Sequence, residues 1–281
     1  VKVDIIVLNY NGYTDTTACI KSLRKITYSD YTIVVVDNNS CDGSYEKLER
    51  ENPDCVFLQT GYNRGFSAGN NVGIKYALEN GADYIMMLNN DTEVAPDFLD
   101  IMISKANENT VVTPCIYFYS NPQEVWYAAG RINHRRCTVY NGDKNESAYV
   151  DYASGCCLLM PRKVIEQVGM WAEEYFMYYE DMDYSLRILK NGFKILYEKD
   201  ARVYHKVGRT AGVQSRLAIY YNVRNRLYVI KKFNFSLSCF IFCLLSRALR
   251  QLHGILFQTN EKVTIQAIHD YFSGKMGMKE F

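Results

Sequence analysis

Nine cysteines stand in this chain, an odd number with no Cys-x-x-Cys and one adjacent pair, Cys156-Cys157. That pattern excludes a disulfide framework and a zinc knuckle, and it fits a reducing cytoplasm. No Gly-x-Gly-x-x-Gly follows the first apolar run, where Leu8-Asn9-Tyr10-Asn11-Gly12 stands instead, which argues against a dinucleotide cofactor. The strongly apolar stretch Phe235 to Leu245 contains Ser236 and Ser238 and is followed by Ser246, Arg247 and Arg250. It falls short of the roughly 20 residues a spanning helix needs and reads as an interfacial or packed helix, the alternative being a core helix or dimer face. Acid is absent from residues 201 to 260, which hold ten Lys/Arg, whereas residues 1 to 200 hold 19 Lys/Arg against 28 Asp/Glu. The net charge of +1 therefore conceals a basic segment suited to anionic partners, either phosphates, a nucleic acid or an anionic membrane leaflet. Its interleaved apolar residues favour lipid or protein over nucleic acid. No internal repeat or low-complexity linker is present. The strand-like Val3-Asp4-Ile5 stands where a signal peptide would, and the sequon Asn90-Asp91-Thr92 falls inside the candidate site, so no secretory route is expected.

At 281 residues the chain is long enough for one large domain, or one domain with an appendage. Its first hundred residues alternate strand and helix in the βα order of a parallel sheet. Strands are expected at Lys2 to Leu8, Tyr31 to Val36, Cys55 to Gln59 and Tyr84 to Leu88. Helices are expected at Thr14 to Ile26, capped by Thr14, at Ser44 to Glu51, at Ala68 to Glu79, and after Pro96. From Val111 to Met160 the pattern loosens into mixed sheet and loops, with a turn at Asn141-Gly142-Asp143. Short strands follow at Phe193 to Tyr197 and Arg202 to His205. After Gln214 three helices are expected: Leu217 to Phe233, Leu237 to Leu256 and Val263 to Phe272.

Apolar runs that end abruptly in acid carry the chemistry. Asp37 closes Tyr31-Thr-Ile-Val-Val-Val and Asp91 closes Tyr84-Ile-Met-Met-Leu-Asn-Asn, and ligands of open α/β sheets bind at such carboxyl ends. Asp37 can accept a hydrogen bond from a base or a ribose hydroxyl; the plainer alternative is a turn cap. Gly65, Gly69 and Gly73 open a helix in Asn63-Arg-Gly-Phe-Ser-Ala-Gly-Asn-Asn, where a backbone or a ligand can come close and Arg64 offers a cation to a diphosphate. Asp91 can hold a hard divalent cation together with substrate phosphates, and His205 can add a nitrogen ligand, although a lone histidine at a strand end is more often structural. Glu180-Asp181-Met182-Asp183 crowds three acids beside aromatics, a setting that tunes ionisation. Trp171, Tyr178 and Tyr179 can stack on sugar faces, or serve as core.

In this order and spacing, Val34-Val-Val-Asp-Asn-Asn-Ser40, Asn63 to Asn71, Leu88-Asn-Asn-Asp-Thr92, Phe176-Met-Tyr-Tyr-Glu-Asp-Met-Asp183 and His205-Lys-Val-Gly resemble the family 2 glycosyltransferases of the GT-A fold. Within them the match is to the bacterial rhamnosyltransferase-like group, and it runs from the first strand to about Arg226. The resemblance implies an α/β fold, a Rossmann-like nucleotide-binding mixed sheet flanked by helices over residues 1–213. A basic and apolar helical C-terminal extension would occupy 214–281. It implies Asp181 as the general base. Donor contacts would come from Asn9, Tyr10, Asn11, Asp37, Arg64, Gly69, Asn70, Asn90 and Asp91, a Mn²⁺ or Mg²⁺ site from Asp91 and His205, and an acceptor side from Trp171, Glu180 and Asp183. Asn89 departs from the pattern, replacing the first acid of Asp-x-Asp and removing a charge from the metal site; Ala172 replaces a common Asp.

The reaction so implied is inverting transfer from a nucleoside-diphosphate sugar, either dTDP-rhamnose or a UDP-sugar, to a saccharide or polyprenyl-linked acceptor in surface polysaccharide synthesis. The basic tail would then dock on the inner face of the cell membrane, the alternative being that it packs on its own domain or pairs two subunits. The alternatives are a sugar-nucleotide pyrophosphorylase, which opens with a Gly-rich, Arg-containing loop absent after Leu8, and a non-catalytic binding module, which gives no reason for three crowded acids.

Overall fold

Val3, Ile5, Ile6 and Val7 have no solvent exposure, because the first strand, β1 (Val3–Asn9), lies mid-sheet with helices over both faces. The computed structural model describes residues 1–207, 215–246 and 261–279. β1 pairs in parallel with β2 (Tyr31–Asp37) on one side and β4 (Tyr84–Asn89) on the other, and β2 pairs with β3 (Val56–Gln59). The order β4-β1-β2-β3 reverses direction between β1 and β4, and a crevice opens at their carboxyl ends. Between these strands run α1 (Tyr13–Leu23), α2 (Ser44–Glu51) and α3 (Gly65–Glu79).

The sheet then becomes mixed. β5 (Thr92–Val94) leads through α4 (Phe98–Lys105) to β6 (Thr110–Phe118), and β7 (Asn121–Tyr127) pairs antiparallel with β6. A separate two-stranded sheet joins β8 (Arg131–Asn133) and β9 (Thr138–Tyr140). β10 (Ala148–Val150) forms the far edge, and β11 (Cys157–Pro161) runs antiparallel to both β4 and β6. After α5 (Arg162–Val168) and a 3-10 turn, Glu173–Tyr175, comes α6 (Glu180–Lys190), then β12 (Lys194–His205), parallel to β6 and antiparallel to β5. The C-terminal part supplies α7 (Arg216–Lys232), a helical segment α8 over residues 237–246, and α9 (Glu261–Phe272).

Several expectations need correction. α1 begins at Tyr13 behind Gly12 and has no side-chain cap, so Thr14 lies inside it. Asp97 rather than Pro96 borders α4. The two short strands near the end are one strand, β12, with a register shift between Glu198 and Arg202. Asn141-Gly142-Asp143 forms no hairpin turn; the Gly142 N–H donates to the carbonyls of Ala128 and Ala129 at 3.0 and 3.1 Å. Residues 247–256 of the expected second C-terminal helix, and the domain boundary near 213, lie outside the described residues.

The basic tail needs the largest correction. Arg224 and Arg226 are buried, and the Arg226 guanidinium donates to the Arg136 carbonyl. Lys232 pairs with Glu174 and Asp183 at 3.1 and 2.6 Å. Among the described residues, Arg224, Arg226 and Lys232 therefore place in internal contacts a charge that reads as surface in the sequence.

Candidate active site

At the carboxyl ends of β1 and β4 a cavity of ≈ 640 Å³ opens. Leu8, Tyr10, Asn89, Asn90 and Asp91 line it from the strand ends, and Tyr152, Ser154 to Cys156, Met177 to Met182 and the α7 residues Ala218 and Asn222 line the rest.

Sheet register sets the Asp91 corner. β5 returns along β12 so that Thr92 lies opposite His205, and the Lys206 N–H donates to the Asp91 carbonyl at 2.9 Å. His205 Nε2 stands 3.1 Å from Asp91 Oδ1, and both residues are buried. Asp91 Oδ1 has no hydrogen-bond partner, and neither has His205 Nδ1. Trp126 holds the imidazole edge-on at 4.5 Å. A buried carboxylate oxygen beside an imidazole nitrogen, with no hydrogen bond between them, fits two neighbouring ligands of a divalent cation, which stand roughly 3 Å apart when each bond is about 2.1 Å. Among the described residues no group of three or more His, Cys, Asp or Glu converges, so the remaining ligands would have to be phosphate and water.

Across the cavity, Glu180 and Asp181 occupy the first turn of α6. Tyr152 donates its hydroxyl to Asp181 Oδ2, and the Gly155 and Met182 N–H groups donate at 3.4 and 2.8 Å. Burial raises the Asp181 carboxyl above its ordinary range, against the opposing effect of these hydrogen bonds. Burial, and then the Asp181 charge, push Tyr152 well above the ordinary phenol value, so Tyr152 stays protonated and keeps donating. Glu180 is pushed well above its ordinary value by burial and by the Asp181 charge, and its Oε2 has no partner. A carboxylate raised toward neutrality in a partly closed cavity is suited to taking a proton from an alcohol.

The loop that delivers α6 is strained. Phe176, Tyr178 and Tyr179 adopt φ of 67°, 65° and 72°, a region that costs bulky residues about 1–3 kcal/mol each. The start of α3 braces it, with the Phe66 N–H donating to the Phe176 carbonyl at 2.6 Å. Gly65, at φ 79°, lies so close that a Cβ would collide with that carbonyl oxygen.

Of the residues singled out in the sequence, Tyr10, Asn90, Asp91, Tyr178, Tyr179, Glu180, Asp181 and His205 line the cavity. Asn9 and Asp37 lie beneath it, tied together: Asn9 Nδ2 donates to Asp37 Oδ1 at 2.8 Å, and Asp37 also accepts from the Ser40 N–H and hydroxyl at 2.9 and 2.6 Å. In this arrangement Asp37 orders the turn after β2. Asn11 bonds to the same turn, at Ser40 and Cys41. Arg64 pairs with Glu173 at 3.4 Å and covers the Tyr62 ring. Gly69 and Gly73 let α3 settle on the sheet, a Cβ at either standing 2.6 Å from Leu8 or 2.5 Å from Ile6. Asn70 donates to the Phe66 carbonyl within α3. Trp171 is core, stacked on Tyr184 at 4.8 Å. Asp183 is fully buried and joined to Tyr175, Arg187 and Lys232.

Tyr152, Gly155 and Asn222 were not found from sequence. The run Tyr152-Ala-Ser-Gly155, small residues just before a buried strand, was the available sign for the first two.

A family model described as Glycosyl transferase family 2 matches residues 4–169. The dTDP-rhamnosyl transferase RfbF of Shigella flexneri is 28% identical over 214 residues, covering 71% of this chain and 71% of that protein. The N-acetylglucosaminyl-diphospho-decaprenol L-rhamnosyltransferase of Mycobacterium tuberculosis is 24% identical over 236 residues, covering 74% and 77%. Among solved structures, that of GalNAc-T7 with UDP, GalNAc and Mn²⁺ superposes with a TM-score of 0.66 at 17% identity, over 81% of this chain and 48% of that one.

Proposed function

The chain belongs to glycosyl transferase family 2 and has the GT-A fold, and from that premise we propose that it transfers a sugar, with inversion, from a nucleoside diphosphate to an acceptor hydroxyl. The donor is dTDP-rhamnose or a UDP-sugar. The acceptor is a saccharide or a polyprenyl-linked saccharide of a surface polysaccharide, a choice supported by the two rhamnosyltransferase relatives. One observation carries the reading: the Asp91–His205 pair and the Asp181 carboxylate line one cavity.

Asp181 accepts the proton of the acceptor hydroxyl while that oxygen bonds to the anomeric carbon, and the bond from that carbon to the diphosphate oxygen breaks with departure of the nucleoside diphosphate. Tyr152 and the Gly155 N–H fix the orientation of the Asp181 carboxylate. Glu180, whose carboxyl burial and the Asp181 charge push well above its ordinary value, lines the cavity beside Asp181. Asp91 and His205 would hold a divalent cation, Mn²⁺ or Mg²⁺, which when bound neutralises charge on the diphosphate. Asn90 is fixed beside them by donation to Thr16 at 2.9 Å. The nucleotide would rest on the Tyr10 and Asn11 turn, ordered from below by Asn9 and Asp37.

No described helix is long and apolar enough to cross a membrane. Contact with the anionic inner leaflet is supported by a stripe on α8, where Leu237, Ile241 and Leu245, spaced by four, are 72%, 46% and 58% exposed. Arg136 lies over the neighbouring Phe242 ring. Flotation with anionic liposomes at low salt tests this docking. A chain that stays with the soluble fraction and sediments as a dimer gives the stripe to a second copy instead.

The reaction is tested by incubating the chain with dTDP-rhamnose and UDP-sugars, each with a saccharide acceptor, and reading the anomeric configuration of the product by NMR. Inverted product supports the proposal, and retained configuration refutes the single displacement.

A further inference from the structure

We propose that Asn225, seated against Arg224, is a positioning residue for Asp181, so that α7 completes the active site. This inference rests on the transferase reading above. Asn225 is fully buried, and its amide nitrogen donates to the carbonyls of Tyr175, Met177 and Tyr178 at 3.0, 2.8 and 2.8 Å. Its Oδ1 accepts from Arg224 Nε at 2.9 Å. Arg224, 1% exposed, in turn donates to the Tyr175 carbonyl at 2.9 Å and to the Gly277 carbonyl at 2.7 Å.

Those three carbonyls belong to the segment that enters α6. Phe176, Tyr178 and Tyr179 sit there in left-handed conformations that persist only where surroundings impose them, and Tyr179 immediately precedes the turn bearing Glu180 and Asp181. One amide, its two N–H groups shared among three convergent carbonyls, sets the direction in which α6 starts and hence where Asp181 points. The same helix lines the cavity one and two turns earlier, with Asn222 and Ala218. The hydrogen bonds of Asn225 reach no residue of β1, β2 or β4, so its effect should fall on chemistry and spare nucleotide binding.

The test uses the full chain as wild type, Asn225→Asp, which keeps the shape but turns an acceptor toward the carbonyls, and Leu48→Ala, a core control in α2 far from the loop. Melting temperature, affinity for UDP and dTDP, kcat and the pH profile of kcat/KM are measured where every variant is folded. Asn225→Asp is expected to bind nucleotide within about twofold of wild type while kcat falls roughly tenfold to a hundredfold and the ascending pH limb shifts. Leu48→Ala is expected to melt lower with kcat and pH profile unchanged. A kcat for Asn225→Asp within about threefold of wild type, or a loss that Leu48→Ala reproduces, overturns the proposal. Should Asn225→Asp not fold, Asn225→Gln, with its donor on a longer stem, is held to the same thresholds. A wild-type chain that binds neither nucleotide refutes the transferase reading itself; a wild type that turns over beside an unimpaired variant refutes this inference alone.

Discussion

Asn9 and Asp37, at the ends of β1 and β2, are enclosed in a network in which Thr16, Ser40 and Ser44 satisfy their side chains. Across the cavity, Glu180 Oε2 and Trp171 Nε1 are buried without partners, and three aromatic residues hold left-handed backbone. The first wall is satisfied around Asn9 and Asp37 and built from neighbours in a parallel sheet, with Asp91 Oδ1 left unpaired at its edge. The second is strained, and distant segments hold it: Gly65 and Phe66 from α3, Tyr152 from the loop before β11, and Asn225 from α7. The contrast suggests a division of labour, with a preformed shelf for the nucleotide and a tensioned wall where ionisation is tuned.

Asp181→Asn should separate the walls most sharply. Transfer is expected to fall about 10²–10⁴-fold, the usual share of a general base, while nucleotide affinity measured by calorimetry stays unchanged. Equal loss of both would show that the walls are not independent. Gly65→Ala strikes the brace between them, adding a Cβ where φ is 79° and the Phe176 carbonyl is in the way. A loss of about 2 kcal/mol or more in denaturant unfolding is expected, and wild-type stability would mean the loop is not braced there.

Tyr152→Phe probes the tuning alone. The Tyr152 hydroxyl lowers the Asp181 pKa against the burial that raises it, so its removal should leave Asp181 protonated to higher pH. The ascending limb of kcat/KM against pH is then expected to move upward; an unmoved limb removes Tyr152 from the site chemistry.

The smallest effect concerns another unpaired carboxyl of the first half, Asp4, whose oxygens are buried near the opposite end of β1 without a well-formed hydrogen bond. Burial raises its pKa, so the folded state binds the proton more tightly than the unfolded chain does. Its contribution to stability is full below the unfolded pKa and is lost as pH rises through the folded value. Asp4→Asn escapes that loss, and a gain on the order of 1 kcal/mol is expected near pH 8 and little near pH 3. Melting curves at the two pH values decide it.

The first wall was legible in the sequence because its pattern is local. Apolar runs such as Tyr31 to Val36 end in Asp or Asn, and each helix lies between the strands it joins. Even there Asp37 was placed at the right strand end, but nothing local shows that Asn9 and Ser40 would hydrogen-bond its carboxylate. The strained wall depends on contacts between segments distant in sequence, such as Phe66 with Phe176 and Asn225 with Tyr175, which no periodicity displays. Arg224 illustrates the difference. Its charge suggested a surface, yet it shares a helix face with Tyr220, Tyr221 and Leu227, all buried, and that spacing was the one local sign of its inward role.

The most direct test of the account is a thermal-shift titration of the wild-type chain and Asp91→Ala with UDP and dTDP, each with and without Mn²⁺. A ligand that binds the folded state raises its melting temperature by mass action. The account predicts a rise with at least one nucleoside diphosphate, a further rise with Mn²⁺, and loss of that further rise in Asp91→Ala. A melting temperature indifferent to every nucleotide would contradict it.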